Sequence, residues 1–233
     1  AWPALLGAHY VFLKLRESRF PRGRGVAHVI AYWAAVYLLA IETAWQVERI
    51  ADGAWPGAAA LAAAAGAVLL TLHARDRLAW PLATHRATYV VPASGGVLAG
   101  LAAITLAANA VSPGDSAPLP YVPIANPLEL ATLLVVLAVV RGAIAVRAVR
   151  PRLDVSPRLA MLSLALSGLF LVTMSVARTV HHWTGVPFDL AALAASTTFQ
   201  ASLSIVWGLL ALAGMLVGAR AARREVWLAG AVL

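Results

Sequence analysis

The fold is decided by the stretch Leu130-Ala-Thr-Leu-Leu-Val-Val-Leu-Ala-Val-Val140, in which Thr132 is the one polar side chain. It lies in an apolar block over residues 128–149, and about twenty residues are needed to cross a hydrocarbon core about 30 Å thick as a helix. Strands of a membrane barrel are about ten residues long and alternate in polarity, which this run does not. The stretch therefore predicts a membrane-spanning α-helix.

Similar apolar blocks recur along all 233 residues, of which 61% are hydrophobic and only 12% charged. We therefore predict an all-α, polytopic transmembrane helical bundle, forming a single domain over residues 1–233 with about seven full spans plus a truncated eighth. Residue 1 is Ala and apolar sequence runs to both ends, so we expect a fragment of a longer membrane protein. The spans are predicted at residues 2–15, 26–47, 56–72, 90–111, 128–149, 157–180, 193–219 and, as a start, 226–233.

The net charge of +8 would suggest a nucleic-acid partner in a soluble protein, but here the charges occupy short loops between apolar blocks. Fifteen of the 18 Lys and Arg residues fall in alternate loops, against Arg49 and Arg178 in the others and Arg141 inside the fifth helix. Basic loops stay on the cytoplasmic side of a membrane. We therefore predict a membrane protein with no nucleic-acid partner, its basic loops cytoplasmic and its loops at 48–55, 112–127 and 181–192 outside.

A group of polar residues on the outward side is the candidate ligand-binding site. Arg178, His181 and His182 end the sixth helix and share one face by their spacing. The predicted site also includes Glu42 in the second helix and a polar stripe on the seventh, formed by Ser196, Gln200 and Ser204. Such residues are costly in lipid and favour a water-filled pocket. Equally, Arg178 and the histidines could anchor the helix at the headgroups, with Ser and Gln bonding between helices.

No metal site and no cofactor are predicted. The absence of Cys excludes thiolate ligands, and adjacent His side chains point about 100° apart on a helix. The loop at 112–127 contains five prolines, so we expect a semi-rigid cap, with Asn126 capping the fifth helix, Pro127 at its first position and Glu129 in its first turn. Gly96–Gly100 and Gly214–Gly218 are small-xxx-small packing motifs, and the Ala-rich third helix is expected inside the bundle.

Four segments in order resemble one large bacterial family of multi-pass membrane proteins, DUF2339. They are Tyr121-Val-Pro-Ile-Ala-Asn-Pro-Leu-Glu-Leu130, Arg178-Thr-Val-His-His182, Ser196…Gln200…Ser204-Ile-Val-Trp207 and Arg224-Glu-Val-Trp-Leu-Ala-Gly230. The resemblance covers roughly the last half of the chain. It implies a very long inner-membrane protein with many more helices, which would be partners of this chain, and it supplies no activity.

Three functions stay open on the sequence. The first is transport or ligand translocation in the cell envelope, with an envelope lipid or a small anion bound at the outward site. The second is a membrane-embedded enzyme acting on a lipid-linked or periplasmic substrate, with a histidine as general base and Arg178 holding an anionic group. The third is a structural scaffold whose polar residues only join helices. Transport ranks first, because no acid–base pair or nucleophile is marked by a motif.

Overall fold

The computed structural model describes residues 2–151 and 156–232, and these residues form helices and connecting turns without a strand. The predicted all-α fold class is confirmed. The helices are α1 (Trp2–Arg16), α2 (Arg24–Glu48), α3 (Trp55–Ala74), α4 (Arg86–Thr88), α5 (Gly95–Val111), α6 (Pro127–Val149), α7 (Pro157–Thr184), α8 (Leu190–Ala195), α9 (Thr197–Arg220) and α10 (Arg224–Val232). A 3₁₀ turn covers Glu17–Arg19, and π-helical segments cover Ala79–Ala83 and Tyr89–Ser94.

Six of these helical segments are long and apolar enough to cross a membrane, against about seven full spans predicted. They are α2, α3, the continuous segment Arg86–Val111, α6, Leu159–Thr184 within α7, and α9. The difference lies at the first block, because α1 has 15 residues and at about 1.5 Å per residue covers only about 22 Å. Predicted and observed bounds of α2, α3 and α6 agree within two residues.

The described chain divides into two compact units, residues 1–167 and 168–233. In the first unit, α3 lies between α2 and α6 and contacts both. Its buried side chains are small or aliphatic, including Ala58, Leu61, Ala65 and Val68. This confirms that the Ala-rich helix packs inside, where small side chains let neighbouring backbones approach closely.

Hydrogen bonds between loops define the two ends of the first unit. At one end, Ala54 N donates to Asp115 O at 2.8 Å, and the Trp55 indole donates to Ser116 O and Ala117 O. At the other end, the turn after α1 meets the turn before α4 through Glu17 and His85. This second end carries the arginine-rich loops and is called the basic end below.

The cap predicted for α6 is confirmed. Asn126 Oδ1 accepts from Leu128 N at 2.9 Å, and Pro127 occupies the first turn. Glu129 is buried in that turn and accepts from the Tyr121 hydroxyl at 2.8 Å and from Ile124 N. Its carboxylate therefore ties the proline-rich loop to the helix as well as facing the positive end of the helix dipole.

In the second unit, α9 and α10 pack together through glycines. A Cβ atom added at Gly230 would lie 2.6 Å from Ala211 O, and one added at Gly218 would collide with the backbone of Trp227. The predicted Gly214–Gly218 motif is therefore an intrachain helix contact. By contrast, a Cβ at Gly100 would meet nothing within 4 Å, so the first motif makes its close approach through Gly96 against Trp33.

Candidate functional site

Three titratable side chains that are distant in sequence meet at the basic end. Glu17 lies in the 3₁₀ turn that follows α1, His28 lies in the second turn of α2, and His85 directly precedes α4. Because α1, α2 and α4 all begin or end at the basic end, the fold brings these positions together. We call Glu17, His28 and His85 the Glu–His–His cluster.

Both imidazoles are bonded to one carboxylate oxygen. Glu17 Oε2 lies 3.0 Å from His28 Nε2 and 2.9 Å from His85 Nε2, and the ring centroids are 4.3 Å apart. His28 has no exposed surface, whereas the Glu17 side chain keeps 18% of its surface exposed. The cluster is therefore a buried site that reaches the surface through its carboxylate.

A chain of hydroxyl groups continues from the cluster into the helices. His28 Nδ1 lies 3.0 Å from Tyr89 Oη, which lies 3.4 Å from Tyr10 Oη. With a proton on Nε2, His28 donates to Glu17 Oε2, and its Nδ1 is hydrogen-bonded to Tyr89 Oη. Glu17, His28, Tyr89 and Tyr10 thus form one continuous hydrogen-bonded path, which we call the relay.

The charge of Glu17 is stabilised by its surroundings. Burial by itself would raise the pKa of Glu17, but hydrogen bonds from His28 and His85, the positive field of His85 and the Trp80 indole together lower that pKa. Trp80 Nε1 donates to Glu17 Oε1 at 3.4 Å, and Lys14 Nζ lies 5.6 Å from the centroid of the Trp80 ring. Glu17 is therefore ionised at neutral pH.

The same three side chains are those that could hold a metal ion in the first unit, since their ligand atoms lie within 4.8 Å of one another. Two imidazoles and a carboxylate are also a ligand set of catalytic zinc. As observed, however, the carboxylate already satisfies both Nε2 atoms by hydrogen bonding. The geometry is complete as a hydrogen-bonded network.

Further buried polar groups lie on or beside the continuous segment that runs from α4 to α5. The hydroxyls of Tyr32 and Ser94 are buried. Nearer the opposite end, Asn109 Nδ2 donates to Thr132 Oγ1 at 2.9 Å. Between Ser94 and Asn109, the buried positions of α5 include the apolar Leu98 and Leu101. The first unit therefore has buried polar groups towards both ends and an apolar section between them.

The sequence-predicted outward residues lie on α7 and α9. Arg178 has no exposed surface, and His181 and His182 are half-buried with ring centroids 4.8 Å apart. His181 Nδ1 lies 2.7 Å from Val186 O in the following loop, which fixes its ring. Glu42, on α2 in the first unit, accepts from Trp2 at 3.4 Å and from Gln46 at 2.8 Å.

The polar residues of α9 have local bonds. Ser196 caps the helix by accepting from Phe199 N at 3.2 Å, and Gln200 Nε2 donates to Ala194 O at 2.6 Å. Ser204 Oγ donates back to Gln200 O at 2.9 Å, and the side chains of Gln200 and Ser204 are exposed. These bonds stabilise the break between α8 and α9, and the binding role predicted for these residues stays a prediction.

Sequence reasoning missed the Glu–His–His cluster, although two signals were present. Glu17 is the one carboxylate among five basic residues of the first loop, and His28 lies within a predicted span. The alternating topology places Glu17 and His85 in loops on the same side. What the sequence does not give is the distance between these two loops, which depends on how α1, α2 and α4 pack.

A family model described as a predicted membrane protein, DUF2339, matches residues 1–233. The chain belongs to the DUF2339 family. The match extends the resemblance, which rested on the last half of the sequence, to the whole of this DUF2339 chain, including the cluster. Neither the curated proteins nor the solved structures include a match to it.

Proposed function

We propose that this protein is a transport protein of the bacterial inner membrane in which Glu17, His28, His85, Tyr89 and Tyr10 transfer protons. The observation that carries the proposal is the position of His28, which is fully buried in a membrane-spanning helix and bonded through both ring nitrogens. An imidazole can accept a proton on one nitrogen and release one from the other. Ionisable chains of this kind are typical of proton pathways in membrane transporters.

The carboxylate makes proton uptake by a buried imidazole feasible. Isolated imidazolium in a low-dielectric site is costly, but a proton added to His28 or His85 forms an ion pair with Glu17 at about 3 Å. The charges that surround this step are Lys14 on α1 and Arg24 at the start of α2, with the hydroxyls of Tyr10 and Tyr89 on the inner side. Protons would enter at Glu17, from the cytoplasm if the basic loops are cytoplasmic.

The apolar section of α5 supports transport over a purely structural role. A transporter needs polar access near both faces and a barrier between them that changes during the cycle. Leu98 and Leu101 lie between the polar groups at the two ends of the first unit and would form that barrier. A scaffold has no need for a fully buried histidine that is hydrogen-bonded through both ring nitrogens.

Proton flux into liposomes tests the proposal. The full-length protein is reconstituted with an internal pH-sensitive dye, a pH gradient is imposed, and the flux is compared with that of His28→Asn, which cannot pass a proton between two nitrogens. We expect the flux through the variant to fall by about a hundredfold or more, the scale of one positioned general acid–base group. His9→Asn, at an exposed histidine of α1, is the matched control and should leave the flux unchanged.

Two results would contradict the proposal. One is equal flux through the native protein, His28→Asn and protein-free liposomes. The other is one equivalent of tightly bound zinc in the purified protein that His28→Asn removes, because the cluster would then be a metal site.

We also propose that a ligand binds in the second unit at Arg178 and His181, with His182, Ser196, Gln200 and Ser204 contributing. The complete burial of Arg178 supports this, because a headgroup anchor would keep its guanidinium in contact with the interface. Arg178→Lys keeps the charge but loses the planar, bidentate donor, so it should abolish complementation of a deletion strain at normal protein levels. If Arg178→Lys, His181→Asn and Gln200→Leu each complement the deletion strain, these residues only join helices. The structural scaffold hypothesis is then the correct one for this part of the protein.

A further inference from the structure

We infer that the first unit binds an anionic phospholipid in a cleft between α3 and α6 at its basic end. The cleft has a volume of about 510 Å³, within the range of ligand-sized cavities. Its rim carries His73 and Arg75, at the end of α3, and Arg141, on α6. The inference is separate from the proposed relay, with which the cleft shares no residue.

The apolar lining of the cleft is exposed on two helices that are long enough to cross the membrane. Leu137, Arg141 and Ile144 follow at intervals of four and three residues and so share one face of α6. Leu70 of α3 and Ile144 are 70% and 60% exposed, on helices that cross the bilayer. A cleft with such walls opens sideways to the acyl chains, which favours a lipid over a soluble anion as its occupant.

The charge at the rim is positive and only partly compensated. Asp76 is shared between two arginines, with Oδ2 3.2 Å from Arg75 Nε and Oδ1 3.4 Å from Arg86 Nη1. Arg141 has no ion pair or hydrogen bond to another residue in the described ranges 2–151 and 156–232. An anion in the cleft would therefore compensate Arg75, which shares its carboxylate with Arg86, and Arg141, which has no carboxylate partner among the described residues.

The depth of Arg141 matches a phosphate at the membrane surface. It lies eight residues before Val149, the end of α6, which corresponds to about 12 Å along the helix. An arginine at this depth extends towards the interface, and Arg141 lines the same cleft as His73 and Arg75 at the end of α3. A guanidinium can hold two phosphate oxygens at once, and basic pockets between membrane helices bind anionic headgroups.

Native mass spectrometry of the full-length protein in detergent tests this inference. The probes are phosphatidylglycerol and phosphatidylcholine with the same acyl chains, and the variants are Arg141→Gln and Arg75→Gln. Arg141→Gln removes a charge from a membrane span, so its insertion should not suffer. We expect phosphatidylglycerol to bind at least about tenfold more tightly than phosphatidylcholine, and Arg141→Gln to lose about tenfold of that affinity.

Arg49→Gln is the matched control, because Arg49 lies beside Trp45 at the opposite end of the unit. It should bind phosphatidylglycerol as the native protein does, and millimolar inorganic phosphate should not displace the lipid. Equal binding of the two lipids, native affinity in both Arg141→Gln and Arg75→Gln, or an equal loss in Arg49→Gln would overturn the inference. Displacement by inorganic phosphate would also overturn it, since the cleft would then be a site for soluble anions.

Discussion

At the residue scale, the Glu–His–His cluster is held by hydrogen bonds between residues that are far apart in the sequence. The carboxylate of Glu17 holds one imidazole 11 positions away and another 68 positions away, and His28 reaches a tyrosine 61 positions away. None of these residues belongs to a recognisable motif, so their relation appears only after the helices are packed. Two predictions about the stability of the folded protein follow from contacts of single residues.

The first prediction concerns pH. The pKa of Glu17 is lowered in the folded protein, so its ionised form stabilises the fold above the ordinary carboxyl range, and this contribution is lost as the pH falls through the lowered pKa. We expect the melting temperature in detergent to decrease when the pH is lowered below the ordinary carboxyl range of about pH 4. Glu17→Gln should weaken this dependence of the melting temperature on pH. The control is Glu48→Gln, at an exposed residue at the end of α2. Unchanged pH dependence in Glu17→Gln would contradict the lowered pKa.

The second prediction concerns the cap of α6. Asn126 accepts from Leu128 N and donates to Gly114 O at 2.5 Å, so Asn126→Ala loses both bonds. We expect a loss of about 1 kcal/mol or more in the free energy of unfolding, measured by denaturant titration in detergent. Asn126→Asp keeps the acceptor oxygen for Leu128 N but places a second oxygen beside Gly114 O, so it should recover only part of the lost stability. An alanine variant as stable as the native protein would show that the proline-rich loop is held by other contacts.

At the scale of helices and turns, two spans are interrupted where their sequences contain polar residues or proline. The span predicted at residues 90–111 begins at Arg86 and includes a π-helical segment with Pro92, and the span predicted at 193–219 is divided at Ser196. Apolar length predicts that a helix exists but does not reveal where its hydrogen-bond ladder changes. The proline removes one backbone donor, and Ser196 ends α8 while capping α9.

The third prediction concerns the α9–α10 hairpin. A Cβ at Gly218 meets the backbone of Trp227, which cannot move aside as a flexible side chain would. We expect Gly218→Ala to lower the free energy of unfolding by about 1–3 kcal/mol. Gly208→Ala is the control on the same helix, because its Cβ would meet nothing within 4 Å, and it should be neutral or slightly stabilising. Equal stability of the two variants would mean that α10 does not pack on Gly218.

At the scale of the whole molecule, the sequence predicts the helical class and most span positions, because hydrocarbon thickness and backbone hydrogen bonding leave few alternatives. The sequence predicts that Arg178 and His181 lie together because they share a helix face, and this depends only on their spacing along one helix. The Glu–His–His cluster depends instead on contacts between α1, α2 and α4. Helix geometry determines the first kind of prediction, whereas tertiary packing determines the second.

The fourth prediction is the sidedness of the membrane protein. Residues 1–233 contain no Cys, so single cysteines introduced at exposed loop positions meet no competing thiol within this part of the protein. Because basic loops remain inside, Leu119→Cys in the proline-rich loop should react with a membrane-impermeant maleimide in intact spheroplasts. Ser18→Cys, beside Glu17, should react only after permeabilisation. The reverse pattern would place the cluster on the outer side.

The central claim is that Glu17 and His28 act as one proton path, and a double-mutant cycle on proton flux tests it most directly. If the two residues act in series, Glu17→Gln and His28→Asn should each slow the flux, and the double variant should be no slower than the slower single variant. If the two losses multiply in the double variant instead, the residues act independently and the relay does not exist.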